Sequence, residues 1–113
     1  MEKFVFLFRG GMDSTQSPEA MQAQTQKWFT WISKLRQSGI YLGGDPLEPT
    51  GKQLDGKKKT VTDGPFIEAK EMVGGYVIVL AKDIDEAVEI SKECPIFDYD
   101  GHLEVRQIRK MDM

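Results

Sequence analysis

Residues 61–71 combine a carboxylate, an aromatic ring and alternating charges around a sharp turn. The dipeptides Asp-Gly and Gly-Pro at positions 63–65 are turn signals that stop a strand and hold Asp63 close to Phe66. A carboxylate beside an apolar wall can have its pKa raised, so Asp63 is predicted to be a general base or to orient a ligand against Phe66. In the alternative, architectural interpretation, Asp63 bonds its own turn amides and Phe66 fills the end of the core.

The charged run that follows this corner ends at a pair of glycines. Glu68 and Lys70 are predicted to bind a ligand if the run faces a polar cleft. The alternative is a solvated surface, which is the usual environment of charges beside a turn. Four residues are assigned a structural role in shaping the motif: Gly64, Pro65, Gly74 and Gly75.

His102, Glu104 and Arg106 form a second group that could do chemistry. Side chains alternate along a strand, so these three share one face, opposite Leu103 and Val105. His102 is the only histidine in the chain, and the unperturbed pKa of histidine lies near neutrality. The pattern therefore predicts that His102 is catalytic and that Arg106 binds an anionic small molecule. The alternative is the charged face of an edge strand, which blocks aggregation.

Composition narrows the classes of function. The chain has 113 residues, 40% apolar and 29% charged, which is typical of one soluble globular domain spanning residues 1–113. A net charge of -3 argues against nucleic-acid binding. With one cysteine and one histidine, neither a metal nor a cofactor is expected. No apolar run is long enough for a membrane span and no signal-peptide pattern is present, so we expect a cytoplasmic protein without membrane partners.

Hydrophobic periodicity predicts two helices. The first begins at a Ser17 cap and runs to about residue 38. Its apolar stripe consists of Met21, Trp28, Trp31, Ile32 and Leu35. The two tryptophans are expected to pack in the core and at its rim, with an aromatic pocket as the alternative. The second helix is predicted from an Asp83 cap, with Glu86 as the reciprocal acid of a capping box, to residue 94.

Four main strands and a hairpin complete the predicted fold. The strands are placed at residues 4–9, 40–42, 72–81 and 102–108, with glycines at 43–44 that bend or end the second strand and an irregular hairpin at 47–62. The order β-α-β-hairpin-β-α-β is that of an α+β, ferredoxin-like βαββαβ antiparallel sheet with two helices on one face. In that topology the first and third main strands, which are apolar on both faces, lie in the middle.

The second face of this sheet needs a cover. Two helices cover only one face, yet both central strands carry apolar side chains on the other, and large apolar patches are unusual on monomers. A second copy of the chain is the predicted cover, which makes the protein a homodimer. A lid formed by the hairpin and the turn motif is the alternative.

Several segments resemble the YCII-related, or DGPF, domain family. The similarity lies in the first strand, in Gly-Gly-x-x-Leu at 43–47, in Thr-Asp-Gly-Pro-Phe-Ile-Glu-Ala-Lys-Glu at 62–71 and in Leu-Glu-Val-Arg-Gln-Ile at 103–108. The resemblance implies a ferredoxin-like fold and a dimeric α/β-barrel assembly. It also implies a link to sigma-factor stress responses in some members, and in the broader group a His–Asp pair in a cleft. Here the residues available for such a pair are Asp63 and His102.

Together these features predict a protein that binds a small, anionic molecule in a cleft near the DGPF motif, with or without cofactor-independent acid–base catalysis. The alternative function is that of a non-catalytic dimeric interaction module, linked to sigma-factor stress regulation.

Overall fold

The chain folds into a four-stranded antiparallel sheet, a separate two-stranded hairpin and two helices. The computed structural model describes residues 1–12, 15–64 and 72–111. In these ranges the elements are β1 (Glu2–Arg9), α1 (Pro18–Gln37), β2 (Tyr41–Pro46), β3 (Lys52–Asp55), β4 (Thr60–Asp63), β5 (Val73–Ala81), α2 (Ile84–Ser91) and β6 (His102–Gln107). A 3₁₀ helix, Pro95–Tyr99, connects α2 to β6. Within the same ranges, no helix has both the length and the hydropathy that crossing a membrane requires.

The order of strands in the main sheet is β2-β5-β1-β6. The predicted α+β, ferredoxin-like arrangement is confirmed, with the first and third main strands in the centre. Because alternate residues of a strand point to the same face, β1 and β5 each present one row of side chains to the helices. The buried residues of these rows are Phe4, Phe6, Phe8, Val77, Val79 and Ala81.

Helix α1 has a defined cap at each end. The hydroxyl of Ser17 accepts a hydrogen bond from the Ala20 N–H at 3.1 Å, as the predicted cap requires. At the other end, Gly39 adopts a left-handed φ of 74°. Its N–H donates to the Arg36 carbonyl while the Ile40 N–H donates to the Leu35 carbonyl, which is the Schellman pattern.

One member of the predicted α1 stripe is misplaced. Met21 is exposed, whereas Gln24 is buried and donates from Nε2 to the Pro95 carbonyl at 2.8 Å. The prediction for Met21 is wrong because the first turns of α1 pack on the 3₁₀ helix instead of on the sheet. A polar residue takes that contact because a buried carbonyl has to be satisfied there.

Helix α2 begins at the predicted cap but ends earlier than predicted. Asp83 Oδ1 accepts from the Glu86 N–H at 2.9 Å, and Glu86 Oε1 accepts from the Lys82 N–H at 3.0 Å. The return bond of the capping box therefore goes to the residue before the cap. The helix ends at Ser91, because the Cys94 N–H folds back to the Ser91 carbonyl at 3.0 Å and the chain leaves the helical path before the next proline.

Strand β2 continues through its glycines instead of ending at them. The register against β5 shifts between Tyr41 and Gly43, and Gly43 adopts φ 148°. The predicted bend is therefore a bulge, after which pairing resumes as far as Pro46. The predicted hairpin is also present as β3 paired with β4, and every residue of these two strands is exposed.

The sheet has an outer face, which we define by Val5, Leu7, Ile78 and Leu80. These side chains alternate with the buried ones of β1 and β5 and are half-buried. They are absent from the core cluster in which the described helices take part. The outer face is thus an apolar surface on the two central strands.

Candidate functional site

Asp63 lies at the end of β4 in a solvated ion pair. Its Oδ1 is 2.6 Å from the Nζ of Lys52, its cross-strand neighbour, and its side chain is 79% exposed. The described surroundings of Asp63 are therefore polar. Residues 65–71 of the motif lie outside the described residues, and four of them have a predicted role: Pro65, Phe66, Glu68 and Lys70. The roles predicted for them stay predictions.

His102, Glu104 and Arg106 lie on the same side of β6, as the alternation predicted, and all three are exposed. Glu104 Oε1 is 2.8 Å from Arg9 Nη1, and Glu104 Oε2 is 3.7 Å from Arg106 Nε. Neither His102 nor Asp63 lines the cavity bordered by Trp28 and Arg36 or the one bordered by Lys27 and Asp98. Their predicted catalytic roles, and that of Arg106 in ligand binding, stay predictions.

The described residues contain no group of three His, Cys, Asp or Glu side chains arranged to hold a metal ion. Cys94 is buried and free. Burial raises the pKa of its thiol to about 12, because a thiolate would lose its hydration. Cys94 is accordingly a packed, protonated side chain and not a nucleophile.

A cavity of about 520 Å³ lies between α1 and one end of the sheet. Its helical wall repeats every three or four residues, so that one face of α1 lines it. That wall consists of Thr25, Trp28, Phe29, Ile32, Ser33 and Arg36. The eleven steps of helix from Thr25 to Arg36 span about 16 Å, so the cavity runs along three turns.

Glycines leave part of the opposite wall of the cavity without side chains. A Cβ on Gly44 would lie 2.5 Å from the Tyr76 carbonyl oxygen, and a Cβ on Gly75 would lie 3.1 Å from the Asp45 carbonyl oxygen. Neither position has a left-handed φ, so the space available is what favours glycine at both. The structural role predicted for Gly75 stays a prediction. We call the surface formed by Gly44, Gly74 and Gly75 the backbone floor.

Aromatic rings close the cavity against the core. Trp28 contacts Phe8 edge to face, with ring centroids 5.0 Å apart, and contacts Trp31 in the same way at 5.8 Å. Trp31 is buried and belongs to the core, whereas Trp28 is half-buried and lines the cavity. Trp31 therefore packs in the core, as predicted, whereas Trp28 packs at the rim of the core and also lines an aromatic pocket.

Few charged groups line the cavity. The guanidinium carbon of Arg36 lies 5.0 Å above the centre of the Tyr41 ring. The side chains of Tyr76 and Asp45 lie on the outer side of the sheet, in the row of Ile78. There the Tyr76 hydroxyl donates to Asp45 Oδ2 at 3.1 Å, and this hydrogen bond to a carboxylate raises the pKa of Tyr76 because it favours the protonated phenol. The arrangement suits a planar apolar molecule with one polar end.

Sequence reasoning did not assign Phe29, Arg36 or Gly44 to a ligand site. Phe29 is 64% exposed, and its position one residue after Trp28 is the available signal, because the two rings broaden an apolar stripe toward solvent. The signal for the floor is a glycine on each of two strands at neighbouring inward positions. That signal becomes readable only when the strand register is known.

A sequence model of the YCII-related domain matches residues 3–112. The chain belongs to the YCII-related domain family. The resemblance found in the sequence is thus confirmed, and it covers almost the whole of this YCII-related protein. A sequence comparison with curated proteins found no significant match.

Solved structures share the fold of this YCII-related protein. One of them is the 5-chloro-2-hydroxyhydroquinone dehydrochlorinase TftG from Burkholderia phenoliruptrix AC1100, in complex with 2,5-dihydroxybenzoquinone. The TM-score is 0.53 at 14% sequence identity, over 95% of this chain and 93% of that chain. At this identity the similarity shows a common fold.

Proposed function

We propose that this YCII-related protein binds a small, planar and largely apolar molecule in the cavity between α1 and the backbone floor. The cavity carries the proposal: its volume of about 520 Å³ falls within the range of small-molecule sites. Trp28, Phe29 and Ile32 supply apolar area, and the floor lets a flat ring approach the main chain closely.

Two further observations support this location. TftG is named for a reaction on a substituted hydroquinone and was solved with a planar quinone, which is the ligand shape that this cavity suits. Gly74 and Gly75 line the cavity and are separated by two residues from the segment 62–71 that contains the DGPF motif, so the proposed site is close in sequence to the motif. Acid–base catalysis by Asp63 and His102 is not part of the proposal.

A thermal-shift and calorimetric screen of substituted hydroquinones and naphthalenes tests the proposal. A ligand at one hundred times its Kd should stabilise the fold by about 2.7 kcal/mol. Phe29→Ala should weaken its affinity about tenfold, because an aromatic contact and its buried area are lost. Phe97→Ala is the control, since Phe97 is exposed on the 3₁₀ helix and lies outside the cavity. Equal affinities of the two variants, or no stabilisation by any compound, would contradict the proposal.

The outer face favours a second function, that of a dimeric interaction module. Such a module could serve sigma-factor stress regulation. We propose that a second copy covers Leu7 and its apolar neighbours. Charge supports a second copy as the occupant: Arg106 of the β6 edge and Arg9 of the adjacent strand β1 flank Glu104, whereas the β2 edge carries Asp45. A two-fold axis parallel to the strands would place each β2 edge over the partner's β6 edge.

Sedimentation equilibrium tests the dimer. The protein should be dimeric at micromolar concentration, and Leu7→Glu should give a folded monomer because it places a charge at the centre of the interface. Phe97→Glu, which adds the same charge to an exposed site on the 3₁₀ helix, should remain dimeric. A wild-type monomer under these conditions would overturn this proposal without affecting the cavity.

A further inference from the structure

Arg36 is the only cationic side chain that lines the cavity along the described part of the chain. It lies in the last turn of α1, three turns from Thr25 at the other end of the helical wall. Among the described residues no carboxylate forms an ion pair with it. Its guanidinium lies over the Tyr41 ring.

The contact with Tyr41 leaves the N–H groups of Arg36 available to donate hydrogen bonds to a ligand. A guanidinium that stacks on an aromatic ring uses its face, so the N–H groups on its edge remain free for a planar acceptor. The ring also restricts the side chain before any ligand arrives, which lowers the entropy cost of holding it in one position. Ile32 lies one helical turn from Arg36 and one turn from Trp28. An apolar surface therefore lies next to the free N–H groups of Arg36.

We propose that the cavity selects a planar aromatic acid, whose ring lies against Trp28 and Ile32 and whose carboxylate accepts hydrogen bonds from Arg36. This inference rests on the proposed function and adds to it the charge of the ligand. Asp45 does not compete for Arg36, because its carboxylate accepts from the Tyr76 hydroxyl on the outer side of the sheet, to which the alternation of the strands directs both side chains.

The alternative role of Arg36 is to complement the helix dipole, which favours any cation in the last turn of α1. Lys34 provides the matched control because it is the other basic residue of that turn and does not line this cavity. Arg36→Gln and Lys34→Gln remove the same charge from the same helix end. A dipole effect would respond equally to both, whereas a ligand contact responds only to the first.

Calorimetric titration of wild type and both variants with 2-naphthoate and its neutral isostere 2-naphthamide tests the inference. Wild type should bind the acid at least tenfold more tightly than the amide, since charge-assisted hydrogen bonds exceed neutral ones. Arg36→Gln should weaken acid binding about tenfold or more and leave amide binding unchanged, and Lys34→Gln should change neither. Arg36→Lys should recover part of the lost affinity for the acid, because lysine restores the positive charge but not the paired N–H donors of the guanidinium.

The outcomes separate this inference from the proposed function. If acid and amide bind wild type equally, or if the preference for the acid survives in Arg36→Gln, the inference is wrong while the cavity remains a binding site. If neither compound binds wild type, the proposed function fails and the inference fails with it.

Discussion

Replacing single glycines of the floor by alanine gives a graded test of the sheet geometry. A methyl group on Gly44 would lie 2.5 Å from the Tyr76 carbonyl oxygen and 3.0 Å from Val77 Cα, which are both backbone atoms that cannot rotate away. A methyl group on Gly74 would meet nothing closer than the Phe8 carbonyl oxygen at 4.0 Å. Neither glycine has a left-handed φ, so space alone distinguishes the two substitutions.

The expected cost follows from these distances. Gly44→Ala forces β2 away from β5 and should destabilise the protein by about 2–3 kcal/mol, which is the upper part of the usual range for overpacking. For a domain of this size that corresponds to a fall in Tm of roughly 10 °C. Gly74→Ala should leave stability unchanged or raise it by up to about 1 kcal/mol, because alanine reduces the entropy of the unfolded chain.

Urea unfolding followed by tryptophan fluorescence measures both variants. The midpoint should fall for Gly44→Ala and not for Gly74→Ala, while the slope stays the same, because the surface exposed on unfolding is unchanged. Gly75→Ala, with contacts of 3.1 and 3.3 Å, should lie between them. Equal stabilities for the first two variants would refute the close approach of β2 to β5 on which the floor depends.

Three other changes have defined outcomes. Asp63→Asn should alter the free energy of unfolding by less than about 1 kcal/mol in urea melts, since its partner Lys52 is 67% exposed; a larger loss would show a contact beyond this pair. Asp83→Ala should cost about 1 kcal/mol by the same assay, because the Glu86 N–H loses its cap, and an unchanged midpoint would contradict the cap. Cys94 should resist a thiol reagent at pH 8 in the folded state and react quickly in urea, because burial raises its pKa from 9.0 to about 12. The neutral thiol is favoured in the fold, so stability should fall between pH 9 and 12 in wild type relative to Cys94→Ala, and equal pH profiles would contradict this.

Periodicity made the framework of the protein readable from its sequence. Runs at β1 and β5 that are apolar on both faces identified both central strands, and the caps at Ser17 and Asp83 located both helix starts. Local patterns carry this information because caps and strand faces depend on neighbouring residues. The end of α2 was harder to place, since a turn back to Ser91 competes with continued helix.

The candidate site was not readable in the same way. Trp28 was recognised as a core or pocket residue, but whether a ring faces a cavity depends on what lies opposite it. Here the opposite surface is Gly44 and Gly75, which become neighbours only through the pairing of β2 with β5. Tertiary pairing of this kind leaves no trace in the spacing of residues along one segment.

The backbone floor has a consequence for how this architecture can diversify. A surface made of main-chain atoms has nearly the same shape whatever the surrounding sequence, and any side chain introduced at Gly44 disturbs the sheet itself. Substitutions that change which ligand a descendant of such a protein prefers are therefore expected on the facing helix α1. There, Phe29 and Arg36 are exposed and can be replaced at little cost to the stability of the fold. Helix α1 would vary in sequence from one descendant to the next, while the sheet stays the same.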